Sequence, residues 1–378
     1  MAPHIFLSAG EPSGDLHAAN LSRALLARNP DAKLVGLGGD RMRAAGVHLR
    51  YPLTDLAVMW FGKVVRHLPQ FFKLARQSEV YFRRHTPDAV VLVDYPGFHF
   101  ALAKRAHRAG VPVYWFVPPQ LWAWHGSRVW KMKAWVRTVF TALPFEDEWY
   151  RGRGVNTDYV GHPYFDELAT RPVDDAWVQA RQGGPVVAVL PGSRSQEVTA
   201  NVPMMLAAAT QVRQTVPGVR FLVAAFREKH AAAIRQELVG SGLPAEVHVG
   251  RTPEIIRAAT VAMAVSGSVG LELLHDLLPT VVVYKMSKLF ETVARRVADR
   301  QHVSLVNLLA GRELFPEVAG AAWAPERIAG PLVTWLTRPA ARAAVVEELR
   351  ALRGCVAVPG ACDRAAAAVL ADLAGGVS

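Results

Sequence analysis

The sequence predicts an α/β protein with two similar parallel-sheet domains that face a cleft. A buried strand, a glycine-rich turn and a helix start occur near the beginning of each half, at residues 5–15 and 186–197. Apolar strands alternate with helical patterns along most of the chain, which is typical of parallel sheets with crossover helices. The length of 378 residues favours two domains over one.

In the first half, short apolar runs predict six strands, and apolar residues at helical spacing predict the helices between them. The strands cover residues 4–9, 33–37, 89–93, 112–117, 137–142 and 157–160. The helices cover residues 14–28, 63–84 and 99–109.

The second half repeats the alternation. Its predicted strands cover residues 185–190, 219–224, 246–249, 260–265 and 280–284. Its predicted helices cover residues 195–214, 228–240, 268–276 and 287–298, and the Ala-rich segment 326–373 predicts two or three more. Because the segment 169–175 is polar and contains a proline, we expect domains over residues 1–168 and 169–378. The C-terminal helices are candidates to pack back on the first domain.

Composition favours a cytoplasmic protein with an anionic partner. No run of eighteen apolar residues is present, and the first apolar run lacks the basic region of a signal peptide. The two cysteines exclude a disulfide framework. The net charge of +11 fits a nucleic acid, an anionic membrane surface or a phosphorylated substrate.

The segment from Lys63 to Arg84 has the pattern of a membrane-surface helix. It contains six lysines and arginines against one acid, with apolar and aromatic side chains interleaved. An ordinary domain helix with a solvated basic face shows the same pattern. Seven of the ten tryptophans lie between Trp60 and Trp149, which favours the membrane interpretation.

Several carboxylates of the first half follow its strands. Asp94 ends the strand at 89–93, and open α/β sheets bind ligands at the carboxyl ends of their strands. It is a candidate to accept a proton from a sugar hydroxyl, or it caps the next helix. In the first glycine turn, Ser13 and Asp15 are candidate caps, and Glu11 is placed to contact a sugar hydroxyl or a cation.

The second half has features that favour anions. The turn at Gly192 and Ser193 leads into a helix start, and Arg194 is suited to clamp a phosphate. Ser268 opens another helix. Glu272, one turn further, is placed to bind ribose hydroxyls or to interact favourably with the helix dipole.

Common cofactor and metal motifs are missing from the sequence. No histidine–carboxylate cluster has metal-ligand spacing, so we expect no metal and no cofactor. Arg41 stands where the third glycine of a dinucleotide fingerprint belongs, and there is no Walker lysine. The surroundings of Ser193 do not match the Gly-x-Ser-x-Gly of hydrolases.

Taken together, these segments resemble the lipid-A-disaccharide synthase family of membrane-associated glycosyltransferases. The resemblance runs from about residue 4 to about residue 317 and rests on the order and spacing of short motifs. These are Ala9-Gly-Glu-Pro-Ser-Gly-Asp15, Gly36-Leu-Gly-Gly-Asp-Arg-Met42, Asp94-Tyr-Pro-Gly-Phe98, Pro119-Gln-Leu-Trp-Ala-Trp124, Leu143-Pro-Phe-Glu146, Gly161-His-Pro163, Leu190-Pro-Gly-Ser-Arg194 with Glu197, and Asn307-Leu-Leu-Ala-Gly311.

The resemblance implies a GT-B fold and a defined reaction. 2,3-Diacylglucosamine is transferred from its UDP conjugate to 2,3-diacylglucosamine 1-phosphate, giving a β-1,6 disaccharide and UDP. The donor is α-linked, so the enzyme inverts in one displacement, which needs a base on the acceptor 6-hydroxyl and stabilisation of departing UDP. GT-B enzymes usually stabilise UDP with backbone amides and arginine rather than a metal.

The resemblance also assigns residues to the two substrates. Asp94 occupies the position of the suspected base, and Glu11 is the second catalytic candidate. The donor site would comprise Gly192, Ser193, Arg194, Glu197, Ser268, Glu272 and Asn307. The acceptor and membrane side would comprise Ser13, Asp15, Trp60, Phe61, Phe71, Phe72, Trp122, Trp124 and Arg128. The two tryptophans at 122 and 124 fit a protein core equally well.

The chain departs from the family pattern beside the suspected base. Many members carry Asp-x-Pro-Asp-Phe-Asn, whereas Gly97 and His99 replace the second aspartate and the asparagine here. Asp94 is therefore the only carboxylate in that segment. In a later motif, Ser-Gly-Ser-Val-Gly-Leu-Glu at 266–272 replaces the common Ser-Gly-Thr-Ala-x-Leu-Glu.

Two other classes remain open. One is another GT-B UDP-sugar enzyme, an epimerase or a glucosaminyltransferase, against which the Trp-Ala-Trp segment and the acidic first turn argue. The other is a non-enzymatic basic protein that binds membranes or nucleic acid, which leaves the candidate residues without roles. We expect a UDP-linked acylated sugar donor, an acylated sugar 1-phosphate acceptor and the inner face of the cytoplasmic membrane as partners, and no nucleic acid. The oligomeric state stays open, a homodimer included.

Overall fold

The computed structural model describes residues 2–58, 68–123, 125–285 and 302–375. The chain forms two compact units. Unit 1 comprises Met1–Glu167 with Val358–Ser378, and unit 2 comprises Leu168–Ala357.

Unit 1 contains a seven-stranded, all-parallel sheet with the strand order β3-β2-β1-β4-β5-β6-β7. Its strands are β1 (His4–Ala9), β2 (Lys33–Gly38), β3 (His48–Pro52), β4 (Ala89–Val93), β5 (Val113–Phe116), β6 (Thr138–Thr141) and β7 (Thr157–Tyr159). Its helices are α1 (Pro12–Arg28), α2 (Asp40–Ala44), α3 (Leu53–Val58), α4 (Leu68–His85), α5 (Pro96–Arg108), α6 (Val129–Trp135) and α7 (Pro144–Arg151). The unit boundary falls within α8 (Tyr164–Thr170).

Both faces of this sheet are covered, which explains its continuous apolar strands. Successive residues of a strand point to opposite faces, so Phe6 and Trp115 pack in one core. Leu7 and Phe116, their neighbours along the chain, pack in the other. The central strands β1 and β4 therefore place the residues that follow them at one fixed edge of the sheet.

Unit 2 contains a six-stranded, all-parallel sheet with the order β10-β9-β8-β11-β12-β13. Its strands are β8 (Val186–Leu190), β9 (Arg220–Ala225), β10 (Ala245–Val249), β11 (Val261–Val265), β12 (Thr280–Lys285) and β13 (Glu317–Gly320). Its helices are α9 (Asp175–Gln179), α10 (Ser195–Thr215), α11 (Glu228–Leu238), α12 (Thr252–Ala258), α13 (Val269–His275), α14 (Leu305–Ala310), α15 (Pro325–Thr337) and α16 (Pro339–Val356).

The structure confirms the predicted fold class and all eleven predicted strands, to within two residues at each end. The predicted helix at 287–298 lies outside the described residues. Two strands were missed, β3 and β13, and both are edge strands. Their residues are only partly buried, so they lack the apolar run that marks the central strands.

The last helix, α17 (Ala361–Gly375), belongs to unit 1 and packs against α1. The Asp166 carboxylate accepts hydrogen bonds from the amides of Gly360, Ala361 and Cys362 at 2.5–3.2 Å, so it caps this helix. The Arg364 guanidinium in turn donates to the Val160 carbonyl at 2.7 and 2.9 Å. The two chain segments at the boundary of unit 1 are thus joined to each other.

Among the described residues, one stretch, 339–375, is long and apolar enough to cross a membrane by length and composition alone. It consists of the two helices α16 and α17 rather than one straight helix. One face of α17 is buried in the core of unit 1.

Candidate active site

The chain makes an unusual turn where β4 ends. Asp94 and Tyr95 have backbone φ angles of +52° and +50°, which residues with a Cβ rarely adopt. The Asp94 amide donates to the Phe116 carbonyl at 3.2 Å, so the turn continues the sheet by one bond. Two consecutive left-handed residues cost about 1–3 kcal/mol each and persist only where the surroundings hold them.

The Asp94 carboxyl is largely buried at this turn and faces other acids. Burial, reinforced by the negative charge of Glu11, raises its pKa to about 6. Glu11 lies at the N-terminus of α1, half-buried, and its side chain does not cap that helix. Glu11 also contributes to a raised pKa of the Tyr95 phenol, after burial. A carboxylate with a pKa near the working pH is suited to general-base catalysis.

His99, on α5, is completely buried behind this turn. Its Nδ1 lies 2.6 Å from the Asp94 carbonyl, and its Nε2 lies 2.9 Å from the Ser8 hydroxyl on β1. The ring contacts those of Tyr95 and Trp115 edge-on. The residue that departs from the family pattern therefore contacts the backbone of the proposed base.

An aromatic layer covers the turn. The Tyr95 ring lies over Gly10, where any side chain would overlap it, so the glycine permits this approach. Phe71 of α4 packs on Tyr95 and Phe98, with ring centroids 6.3 and 5.4 Å apart. Phe71, predicted for the membrane side, thus contacts the turn that presents Asp94.

Glu146 is a buried acid of this region that was not among the predicted site residues. Burial, together with the charge of Asp94, raises its pKa to about 8. Trp122 Nε1 donates to its carboxyl at 3.1 Å and the Ala142 amide at 3.3 Å. Tyr150 of the same helix, α7, donates to the Pro119 carbonyl at 2.6 Å. These contacts anchor the segment 119–122.

Trp122, which was predicted for the acceptor side, is buried in the core of unit 1 and bonded to Glu146. Trp124 lies outside the described residues, as do Trp60 and Phe61. Arg128 is exposed in a short 3-10 turn, Gly126–Arg128, that precedes α6.

Asp15, which was predicted for the acceptor or membrane side, has a structural role in unit 1. Its buried carboxylate accepts from the amides of Gly39, Arg41 and Met42 at 2.8–3.2 Å. Asp15 therefore caps α2, a different helix from its own, and these bonds use its oxygens. Ser13, two residues earlier, is exposed at the start of α1.

In unit 2, the turn after β8 is closed by a carboxylate. Glu197 accepts from the amides of Ser193 and Arg194, both at 3.2 Å, and pairs with the Arg194 guanidinium at 2.7 Å. Gly192 has φ +111°, and a Cβ there would overlap Glu197. Glu197 thus shapes the turn and pairs with Arg194, whose side chain remains 63% exposed.

Glu272 is buried in α13 and forms an ion pair with Arg171 at 2.6 Å. Ser268 precedes α13 and is exposed. Arg171 lies in the predicted linker segment, and no local pattern marked it as a partner of Glu272. Glu272 of this pair lies in the segment that follows the carboxyl end of β11.

Asn307, which was predicted to contact the donor, hydrogen-bonds to the loop that follows it. Its Nδ2 donates to the Phe315 carbonyl and the Glu317 carboxylate, and its Oδ1 accepts from the amides of Leu314 and Phe315, all at 2.7–2.8 Å. A side-chain amide has two donors and two acceptor positions, so all four are used. Asn307 holds the loop 311–317 in place.

Among the described residues, no group of three or more histidine, cysteine, aspartate or glutamate side chains is arranged to hold a metal ion. Carboxylates of the site instead accept hydrogen bonds from backbone amides or pair with arginine.

The sequence analysis thus did not identify Glu146 and Arg171 as residues of the site. It also did not predict the hydrogen bonds that His99 makes. A signal existed for Glu146, an acid that follows the apolar Leu143-Pro-Phe145 at the end of a strand. The partner of Arg171 and the Ser8 partner of His99 lie 101 and 91 residues away along the chain, so the local sequence holds no signal for these two contacts. The other partner of His99, the Asp94 carbonyl, lies five residues away.

Comparison with known proteins identifies a family along nearly the whole chain. The model of the family described as lipid-A-disaccharide synthetase matches residues 5–348. Proteins named lipid-A-disaccharide synthase from Syntrophus aciditrophicus and Myxococcus xanthus are 34% and 35% identical, and 97% of each chain is covered. The one from Neisseria meningitidis is 35% identical over 93% of both chains.

Solved structures show the same fold at low identity. The calicheamicin glycosyltransferase CalG4 matches with a TM-score of 0.65 at 16% identity, and the match covers 100% of both chains. A UDP-GlcNAc 2-epimerase from Neisseria meningitidis, solved with UDP-GlcNAc, matches with a TM-score of 0.65 at 11% identity, covering 98% of this chain and 99% of that one. At these identities the likeness concerns the fold alone.

Proposed function

The chain belongs to the lipid-A-disaccharide synthase family of GT-B glycosyltransferases, and we propose that Asp94 is its catalytic base, with unit 1 serving the acceptor and unit 2 the UDP-sugar donor. The observation that carries the assignment is the largely buried Asp94 carboxyl, held in a left-handed turn at the carboxyl end of β4. Glu11 contributes because its negative charge raises the pKa of that carboxyl.

The family reaction joins two acylated glucosamines. The 6-hydroxyl oxygen of 2,3-diacylglucosamine 1-phosphate attacks C1 of the donor sugar, and the bond from C1 to the UDP oxygen breaks. The hydroxyl proton passes to the base, UDP leaves, and the anomeric centre inverts. Since the proton is removed as the new bond forms, a base that is ionised at neutral pH but still basic serves best.

We assign the donor's diphosphate to Arg194 and its ribose to Glu272. Arg194 is the exposed cation of the turn after β8, and a guanidinium offers a fork of donors that matches phosphate oxygens. Glu272 is the buried carboxylate at the carboxyl end of the neighbouring strand, β11, where its acceptor oxygens suit a diol. Gly192 and Glu197 shape the turn, and Ser268 lies at the start of α13. No metal takes part in this proposal.

UDP release from purified enzyme in detergent, with both acylated substrates and EDTA, tests these roles. We expect Asp94→Asn to lower kcat by about 10²–10⁴-fold, since it removes the base but keeps the side-chain shape. Arg194→Ala should lower kcat/KM for the donor at least about tenfold, with Arg194→Lys intermediate because lysine lacks the fork. Glu148→Gln, an exposed carboxylate on α7, is the matched control.

Two results would contradict the assignments. Wild-type turnover in Asp94→Asn removes Asp94 as the base. Activity that EDTA abolishes and a divalent cation restores removes the metal-free mechanism.

We further propose that α4 of unit 1 rests on an anionic membrane, at the inner face of the cytoplasmic membrane. Phe72 is 65% exposed on this helix and Val80 is 43% exposed. Beside them a cavity of about 520 Å³ is lined by Arg50, Lys73 and Arg76 and by no acidic side chain. Apolar side chains next to basic ones suit the interface of an anionic leaflet, where both substrates are anchored by their acyl chains.

A further inference from the structure

We propose that His99 is a positioning residue that locks the left-handed turn at Asp94 and Tyr95, and thereby aims the Asp94 carboxylate at the acceptor hydroxyl. The inference rests on the proposed role of Asp94 as the base.

The directions of the two hydrogen bonds follow from their partners. A backbone carbonyl only accepts, so the Nδ1 of His99, 2.6 Å from the Asp94 carbonyl, must carry a proton. Burial lowers the pKa of His99 to about 4, so the ring is neutral and its Nε2 keeps a lone pair. The Ser8 hydroxyl, 2.9 Å away, therefore donates to Nε2. One neutral tautomer satisfies both contacts.

These hydrogen bonds stabilise a turn whose backbone conformation is unfavourable by itself. The Asp94 carbonyl is fixed by His99, and the Asp94 amide is fixed by the Phe116 carbonyl of β5. Without the first bond, the two residues can rotate toward the ordinary negative φ region, which relieves their backbone strain. Such a rotation changes the direction in which the Asp94 side chain leaves the chain.

The histidine ring spans a gap that the shorter asparagine does not. It connects β1, through Ser8, to the end of β4, and Ser8 pairs in register with Leu92 on that strand. An asparagine amide can place its nitrogen at the site of Nδ1, whereas a glutamine amide reaches the site of Nε2. The two substitutions therefore separate the two bonds.

The charged and titratable groups around the turn come from three elements. Glu11 comes from the start of α1, Glu146 from α7, and Tyr95 from the turn itself. The elements packed on His99 contribute the aromatic rings of Tyr95, Phe98 and Trp115 and the Ser8 hydroxyl. Changing His99 to a neutral amide thus leaves the charge around Asp94 unaltered.

The test compares His99→Asn with His99→Gln, since each keeps one of the two bonds. We expect His99→Asn, which retains the donor to the Asp94 carbonyl, to keep kcat within about threefold of wild type. We expect His99→Gln to lower kcat about 10–100-fold with little change in KM for either substrate, since misplacing a catalytic group by about 1 Å has this scale of effect. Ser8→Ala, which removes only the other bond, should resemble His99→Asn.

A second readout does not depend on turnover. The carboxyl carbon of Asp94 is titrated by NMR in ¹³C-aspartate-labelled enzyme, with Asp94→Asn identifying the signal. His99→Gln should move the titration of Asp94 toward that of an ordinary exposed aspartate, while His99→Asn leaves it unchanged. Equal effects of the two variants on kcat and on this titration would reduce His99 to a packing residue and overturn the proposal.

The two proposals fail separately. If Asp94→Asn keeps wild-type kcat, Asp94 is not the base. A shift of the Asp94 titration in His99→Gln but not in His99→Asn would still establish that His99 holds the turn. If Asp94→Asn is inactive and neither His99 variant shifts the titration of Asp94, Asp94 remains the base and His99 has no positioning role.

Discussion

Asp94 combines a strained backbone with a carboxyl whose pKa is raised to about 6, chiefly by burial. A carboxyl with a raised pKa binds its proton more tightly in the folded chain than in the unfolded chain. Its contribution to stability is therefore lost as the pH rises from about 4 to about 6, and the ionised form costs up to about 3 kcal/mol above that range. The same burial makes Asp94 a better base.

Asp94→Asn should accordingly stabilise the protein while it inactivates the enzyme. The free energy of unfolding should exceed that of wild type by about 1–3 kcal/mol at pH 8, and by less at pH 5, since the wild-type carboxyl is then mostly protonated. Urea unfolding at the two pH values measures the difference. A gain that does not depend on pH, or a loss at pH 8, would show that the ionised carboxylate costs nothing.

Asn307 illustrates the opposite case, a polar side chain whose hydrogen bonds are all internal. Asn307→Ala leaves the Leu314 and Phe315 amides and the Phe315 carbonyl without their partner, so we expect a loss of about 2–4 kcal/mol in the free energy of unfolding. Donor KM, measured well below the unfolding temperature, should stay within about twofold of wild type. Unchanged stability with a raised donor KM would restore Asn307 as a donor contact.

Local sequence identified residue types at the site but not their contacts. Asp94 was chosen because it ends an apolar strand, yet nothing in Asp-Tyr-Pro predicts two left-handed residues, since neither is a glycine. Asp15 and Asn307 were chosen because polar residues stood in glycine-containing segments, and the structure shows that both bind backbone groups outside their own segments or further along the same loop. Hydrogen-bond partners depend on tertiary structure, which motif spacing does not encode.

Among the strands, those at the centre of each sheet were all predictable, whereas two of the four edge strands, β3 and β13, were missed. The strands β1, β4, β8 and β11 are buried on both faces, so their sequences are nearly continuous apolar runs. The edge strand β3 alternates exposed and half-buried residues, and the helix after it, α3, has too few turns to show a periodicity. An apolar pattern therefore indicates which residues are buried more directly than it indicates which secondary structure they form.

The helix α4 allows a direct test of the membrane proposal. Reversing one charge in its basic cavity, with Arg76→Glu, should weaken binding to vesicles of phosphatidylglycerol and phosphatidylcholine about tenfold, since each basic residue near an anionic surface contributes about 1 kcal/mol. Arg23→Glu, an exposed arginine on α1, changes the net charge equally and should bind like wild type. Phe72→Ser should weaken binding at high salt as well, because the apolar contribution is not screened.

Flotation of the protein with vesicles measures these affinities. Equal losses for the two charge reversals would mean that the net charge of +11, rather than α4, governs membrane binding. Wild-type binding by both Arg76→Glu and Phe72→Ser would move the membrane contact to another part of unit 1.

At the scale of the whole molecule, the two units have the same architecture but differ in their chemistry. Unit 1 collects acids around Asp94, whereas the corresponding edge of unit 2 presents Arg194 and a carboxylate neutralised by Arg171. An acidic centre suits proton abstraction and repels a diphosphate, while an exposed guanidinium attracts one. The proposed division of labour between acceptor and donor follows from this difference in charge.

UDP alone should therefore protect unit 2 and leave unit 1 unaffected. In hydrogen exchange followed by mass spectrometry, UDP at one hundred times its dissociation constant adds about 2.7 kcal/mol to the opening of the segments it holds, a slowing of roughly a hundredfold. We expect this protection at residues 191–197 and 266–272, and its reduction in Arg194→Ala at the same UDP concentration. Residues 9–15 and 94–98 should exchange as in the free enzyme, since a diphosphate has no favourable partner among the acids there. Protection centred on those two segments instead would reverse the assignment of the units, and with it the role of Asp94 as a base on the acceptor.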